Sequence, residues 1–316
     1  MSDLKVSRRS LLKGLGAGAL SYGFLNIGTA PARAQISPTG SDIAAYYRFS
    51  IGDFNMTVVS DNAGQLPAAF VGANQPEADM QAYFANLNLL NPDTGTIPNT
   101  FLILVLQTND MNVVFDTGNG AGVGKLVPTL EALGIPADSV NAVVMSHWHP
   151  DHISGLSTDD VPTFPNATVY FPQAEYDFLQ AAPDDVVGGA KAKLAPVEAA
   201  GMLSLYAAGT GVIPGVTAIA TPGHTPGHTS FVIESNGSRM IHFVDSVISA
   251  YATPNNPEWF FGFDADPEQA VASRQMILEM AASEGIPAMG YHFPFPGTGH
   301  IIPDGDGSYR FIPVAF

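Results

Sequence analysis

The chain has 316 residues, no cysteine and a formal net charge of −17 at neutral pH. Without cysteine it forms neither disulfides nor thiolate ligands, so any bound metal must be held by imidazole and carboxylate. The acidic balance repels nucleic-acid phosphate and anionic lipid, which sets aside nucleases and membrane-surface binders.

Residues 1–34 read as an export leader rather than a membrane span: Arg8 and Arg9 precede an apolar stretch, and Ala32-Arg33-Ala34 supplies a small-residue cleavage site. The order Ser7-Arg8-Arg9-Ser10-Leu11-Leu12-Lys13 resembles the twin-arginine signal, which exports folded proteins, often around a cofactor. A periplasmic location, a mature catalytic domain over 35–316 and no stable membrane association after cleavage are therefore expected. The leader holds five of the twelve Lys and Arg and one of the 29 Asp and Glu, so the mature chain keeps 7 basic and 28 acidic residues.

Tyr47, Phe49 and Ile51, then Phe54, Met56 and Val58, alternate around Gly52-Asp53 and predict a hairpin. Phe101 to Leu106 is an apolar strand, and Asn112 to Phe115 a second one that ends at Asp116. Leu126, Leu130 and Leu133 recur at helical spacing, with Gly134 and Pro136 as the stop. Ala142 to Met145 is a strand that runs directly into Ser-His-Trp-His-Pro-Asp-His, residues 146–152. Val216 to Ala220 is a further strand, and Thr229 to Glu234 pairs with Arg239 to Val244 across Asn236-Gly237, a strong hairpin signal. Asp266 caps a helix with Pro267 in its first turn, running to about Ser283. A short strand, Ala288 to Tyr291, ends at His292. Strand pairs alternating with helices in both halves predict an α/β fold, two sheets sandwiched between helices in one domain.

Three of the eight histidines fall within six consecutive positions, with an aspartate among them. In an extended loop, His147 and His149 point to one side, while Asp151 and His152 address a point a few ångströms away. Imidazole nitrogen and carboxylate oxygen suit zinc, so this loop can serve two ions.

His-x-His-x-Asp-His at 147–152 resembles the signature of the metallo-β-lactamase superfamily, and His224, Asp245 and His292 stand where that family's other ligands are expected. The resemblance implies the four-layer αβ/βα sandwich and a binuclear site for two divalent ions, zinc foremost. It implies one ion on His147, His149 and His224, another on Asp151, His152 and His292, and Asp245 as the bridge. Asp116 matches an aspartate that orients the histidine loop. Tyr46 to Phe54, His224 to Ser235, Phe295 to Ile301 and Gly307 to Val314 resemble the methyl parathion hydrolase branch, exported binuclear enzymes related to lactonases. Ile248 stands where homoserine-lactone lactonases often carry tyrosine.

The expected activity is hydrolysis of a small neutral, apolar lactone, aryl ester or phosphotriester. A metal-bridging hydroxide would be the nucleophile, and Asp151 and Asp245 the catalytic carboxylates. An iron-dependent redox enzyme or a non-catalytic metal carrier on the same fold is the alternative. Trp148 is a candidate pocket floor and His228 an orienting residue. Phe260 and Phe261 belong to an aromatic run read either as an apolar lid or as core or homodimer packing. His242 reads as a core or edge histidine, and His300 has no partner that the sequence names.

Overall fold

The computed structural model describes residues 33–35 and 44–314. Apart from the backbone of Arg33 and Ala34, the leader lies outside the described residues. The first sheet begins with β1 (Arg33–Gln35), β2 (Tyr46–Ile51), β3 (Phe54–Pro67), β4 (Thr96–Gln107), β5 (Asn112–Phe115) and β6 (Ala142–Val144). A small ribbon, β7 (Ser157–Thr158) with β8 (Val161–Pro162), intervenes before β9 (Thr168–Pro172) and β10 (Leu203–Tyr206) complete the order β1-β2-β3-β4-β5-β6-β9-β10. The second sheet takes its strands in chain order: β11 (Gly211–Ile213), β12 (Val216–Ala220), β13 (Thr229–Ser235), β14 (Ser238–Val244), β15 (Pro287–Gly290), β16 (Thr298–Gly305) and β17 (Ser308–Pro313). The helices are α1 (Glu77–Asn86), α2 (Leu126–Ala132), α3 (Pro150–Ile153), α4 (Gln173–Ala181), α5 (Asp184–Ala199) and α6 (Pro267–Glu284).

Side-chain alternation builds the layers. Along β4, Leu102, Leu104 and Leu106 enter the core between the sheets, where they share a cluster with Phe231, Ile233 and Met240. Their neighbours Ile103 and Val105 face outward, beneath Leu130 of α2, Leu179 of α4 and Leu194 of α5. A strand with one helix-covered face and one sheet-covered face reads as a continuous apolar run, as this one does. In the second sheet, Ile241 and Phe243 turn away from the inter-sheet core to meet Ile277, Leu278 and Ala281 of α6. The result is the expected helix-sheet-sheet-helix sandwich.

Apart from the end of β3 and the start of β4, which reaches back to Thr96, the predicted elements appear within a residue or two. Asp266 caps α6 by accepting the Gln269 amide at 3.1 Å, and Gly285 ends it at φ +63°. Sequence periodicity did not disclose α1, α4, α5, the strands β9 to β11 or the terminal β16–β17 hairpin, and the helical turn α3 stands where an extended loop was expected. Periodicity also missed the extension of β3 to Pro67 past an irregularity between Ser60 and Asn62. That extension positions the site. Leu66, Val71, Phe84 and Ile97, drawn from the β3–β4 arms, the 3-10 turn Ala68–Gly72 and α1, pack with Ile248 and Phe261 in a separate apolar cluster.

Candidate metal centre

The ends of five strands converge at one edge of the sandwich. β6 leads into His147 and His149, with His149 the N-cap of α3, and that single helical turn carries Asp151 and His152. β5 ends at Asp116, β12 runs towards His224, β14 ends beside Asp245, and β15 is followed by His292. Two donor groups result, His147, His149, His224 and Asp245 in one, and Asp151, His152 and His292 in the other, each with its ligand atoms within 4.8 Å of one another. The Oδ2 of Asp245 lies 3.3 Å from His224 Nε2, 3.3 Å from His292 Nε2, 3.4 Å from His152 Nε2 and 3.8 Å from His147 Nε2. It therefore touches members of both groups.

Hydrogen bonds on the far side of each ring decide which nitrogen faces the centre. Ser146 Oγ donates to Asp116 Oδ2 at 2.6 Å and so accepts His147 Nδ1–H at 2.9 Å. His152 Nδ1 donates to Asp116 Oδ2 at 2.8 Å, His224 Nδ1 to Asp264 Oδ1 at 3.0 Å, and His292 Nδ1 to the Thr100 carbonyl at 2.8 Å. Four rings thus turn Nε2 towards the centre, oriented by partners of the kind that hold metal-ligating histidines. His149 is turned the other way, with its Nδ1 2.9 Å from His224 Nε2.

These residues fit a pair of divalent ions. His147 Nε2, His152 Nε2 and Asp245 Oδ1 are buried with no hydrogen-bond partner among the described residues, and unpaired buried polar atoms are costly unless a cation or water satisfies them. Donor separations of 3.3–3.8 Å around Asp245 Oδ2 match the edge of a tetrahedron, roughly 3.4 Å when each corner lies about 2.1 Å from the centre. Burial and the neighbouring His152 push His147 well below the usual histidine range, and burial with His224 pushes His149 down to about 2. Both rings are therefore neutral, as ligands must be. Burial acts to raise the carboxyl of Asp245, but the imidazolium charge of His152 and His292, which the neighbouring aspartates favour, outweighs it and holds Asp245 ionised; a bound cation would take the place of those Nε2 protons.

A mouth of about 490 Å³ opens above the donors, walled by Leu66, Phe101, Ile248, Phe261 and Phe263. A second chamber of about 230 Å³ adjoins it, lined by Val71, Phe84, Leu89 and Ile97. Leu66, Asn99, Ile248 and His292 border both. Among the described residues no lysine or arginine lines either space.

The other sequence candidates fall in several places. Asp116 meets Ser146 and His152 as a buried orienting carboxylate. Trp148 packs against Phe178, ring centroids 6.2 Å apart, and does not line the mouth. In the aromatic run, Phe261 and Phe263 wall the mouth, while Phe260 donates its amide to Asn74 instead. His242 is buried between the sheets beside Phe115 and Phe231. His228 stands next to His147 yet turns its Nε2 to the Asp245 amide at 3.1 Å.

Sequence reading missed Asp264, Arg274 and Glu175. Asp264 joins His224 to Arg274 Nη2, 3.4 Å away, and Arg274 also donates to the carbonyls of Ser246, Pro257 and Trp259. Glu175, on α4, accepts amides from both ligand loops, Gly227 at 2.5 Å and Trp148 at 3.3 Å. Neither carboxylate lies at a diagnostic spacing from the histidines. A charged residue inside an otherwise apolar or aromatic segment was the available signal.

The chain is similar to known proteins in sequence and in fold. The uncharacterized protein YobT of Bacillus subtilis is 27% identical over 191 residues, covering 57% of this chain and 78% of its own. The N-acyl homoserine lactonase AttM of Azorhizobium caulinodans is 28% identical over 180 residues, 53% of this chain, and the match spans just under two thirds (64%) of that lactonase. Among solved structures, the hydrolase AbOPH superposes with a TM-score of 0.79 at 28% identity, over 87% of this chain and 99% of that one. The dizinc quorum-quenching lactonase AidC shares the fold over the same spans, with a TM-score of 0.79 at 23% identity. The family model described as the metallo-beta-lactamase superfamily matches residues 93–285, more than half of the chain, and the protein belongs to that superfamily.

Proposed function

We propose that this chain is a binuclear zinc hydrolase of neutral lactones that carry an apolar arm, with aryl esters and phosphotriesters as lesser substrates. The observation that carries the reading is the convergence of two complete donor groups on Asp245 at the floor of an apolar, cation-free mouth. His147, His149 and His224 would hold one ion, Asp151, His152 and His292 the other, with Asp245 between them. When bound, such ions polarise an ester carbonyl or phosphoryl oxygen and favour deprotonation of water.

The remaining chemistry belongs to the chain. Asp116, Asp264 and the Thr100 carbonyl keep His152, His224 and His292 in the tautomer that points Nε2 inward. The apolar walls exclude bulk water from the reacting carbonyl. Asp151, a quarter exposed and lining the mouth, is placed to take a proton from the attacking water and pass it to the departing ring oxygen. The adjoining chamber beyond Ile248 suits an alkyl or acyl arm, and among the described residues no lysine or arginine is there to pair with an anionic arm. The lactonase AttM supports the lactone assignment. The leader at 1–34 supports export to the periplasm by the twin-arginine route, with residues 35–316 as the mature enzyme.

The test is hydrolysis of acyl homoserine lactones, p-nitrophenyl esters and a phosphotriester by protein of measured zinc content. Lactones should be turned over fastest. Turnover no greater than that of Asp245→Ala across the whole panel would refute the assignment.

A further inference from the structure

Seven non-glycine residues among those described have positive φ, and six of them are Asn or Asp, the types that tolerate the left-handed region. The seventh is Val244, at φ +52°. A β-branched side chain is poorly suited to that conformation, which persists only where surrounding contacts impose it. Val244 immediately precedes Asp245, whose carboxylate lies against members of both donor groups.

The local turn is well defined. The Ser246 amide donates to the Phe243 carbonyl at 3.2 Å, closing a four-residue turn over 243–246. The first of its two central positions is Val244, where a positive φ ordinarily selects glycine or asparagine. The hydroxyls of Ser230 and Ser246 each donate to the Phe243 carbonyl at 2.8 Å, which anchors the entry to the turn. The amide of Asp245 donates to His228 Nε2 at 3.1 Å. Because that Nε2 accepts, the ring proton sits on Nδ1, which points at the Thr221 carbonyl, 3.2 Å away, and lies 2.9 Å from Thr221 Oγ1. Thr221 itself precedes His224 on the same loop, so His228 ties one ligand loop to the turn that delivers Asp245.

We propose that His228 is a positioning residue that holds the Val244–Asp245 turn in its left-handed conformation and thereby aims the Asp245 carboxylate between the two donor groups. The inference rests on Asp245 as the shared ligand of the proposed function. It also accounts for a histidine that stands among the ligands, with ring centroids 5.0 Å from His147, yet belongs to neither donor group. Without the His228 acceptor, Val244 relaxes towards negative φ and swings Asp245 away from one group.

The experiment measures zinc affinity and stoichiometry of full-length chains by competition titration, beside hydrogen exchange of the Asp245 amide in metal-free protein. His228→Leu should weaken the second equivalent of zinc by about 10- to 100-fold, as loss of a ligand-orienting partner does. His228→Gln, whose amide oxygen can stand where Nε2 stood, should recover most of that loss. Adding Val244→Gly to His228→Leu removes the conformational penalty at 244 and should restore affinity by about tenfold. Zinc affinity of His228→Leu equal to that of wild type overturns the proposal, as does a double variant no better than His228→Leu alone. If wild type takes up fewer than two zinc ions, the binuclear reading fails instead. The metal-free amide then decides His228 independently: protection in wild type that is lost in His228→Leu supports the hydrogen bond, and equally fast exchange in both overturns it.

Discussion

His224 donates from Nδ1 to Asp264 across 3.0 Å, and the other oxygen of that buried carboxylate lies 3.4 Å from Arg274 Nη2. A proposed ligand is therefore oriented by an ion pair drawn from the loop before α6 and from α6 itself. Asp264→Ala should weaken zinc binding by about 10- to 100-fold. It should also lower stability by about 3 kcal/mol, because the guanidinium of Arg274 is left buried and unpaired. Asp264→Ala/Arg274→Met should regain much of the stability but not the zinc affinity. Urea denaturation and zinc titration on the same preparations separate the two effects, and an Asp264→Ala chain as stable as wild type would argue against the pair.

With Asp245 as the proposed ligand between the ions, Asp245→Ala should abolish turnover and leave at most one tightly bound ion per chain. Metal analysis after gel filtration, with lactone hydrolysis measured on the same fractions, checks both. Full activity with a single ion would exclude a two-ion mechanism.

Glu175 supplies a pH dependence. Its burial raises the carboxyl to about 7, against which the amides of Gly227 and Trp148 act only partly. Since the folded value lies above the unfolded one, the folded state holds the proton more tightly. Stability from this group is complete below about pH 4.5 and is lost as pH rises through 7. The loss amounts to about 3 kcal/mol at one pKa unit per 1.4 kcal/mol. In metal-free protein, the stability of wild type relative to Glu175→Gln should therefore fall between pH 5 and 8. Parallel melting curves for the two proteins over that range would show that Glu175 does not titrate there.

Ile248 borders both the mouth and the adjoining apolar chamber. Ile248→Phe should narrow the passage and lower kcat/KM for long-chain lactones by about tenfold relative to short-chain ones, whereas Ile248→Ala should favour the longer substrates. A chain-length series with each variant reads the effect as a ratio, which cancels differences in active fraction. An unchanged ratio would place the apolar arm elsewhere.

Local signals made much of the fold legible. The apolar alternation of β2 and β3, the Asn236-Gly237 turn and the Asp266-Pro267 start of α6 depend on residues a few positions apart, and each element formed where it was expected. Helix α5 escaped notice because Gly188, Gly189 and Pro196 weaken its pattern; burial of Val187, Leu194 and Val197 against the first sheet stabilises it. The α1 segment and the extended β3 arm likewise depend on packing with Ile248 and Phe261, far away in the chain.

The sequence by itself determined the chemistry of the centre: oxygen and nitrogen donors, a histidine-rich loop dense enough for two ions, and strand ends that carry the remaining candidates. Those features are local, because residue type and short spacing set them. Only the tertiary structure decided which ring nitrogen each histidine presents, since the deciding partners lie elsewhere, as with His292 and the Thr100 carbonyl 192 residues away. It also decided that Trp148 packs aside, that His228 serves the Asp245 turn, and that Ile248 stands between two chambers. These are outcomes of packing between distant segments, where the burial of apolar surface selects one arrangement and polar partners must be satisfied within it.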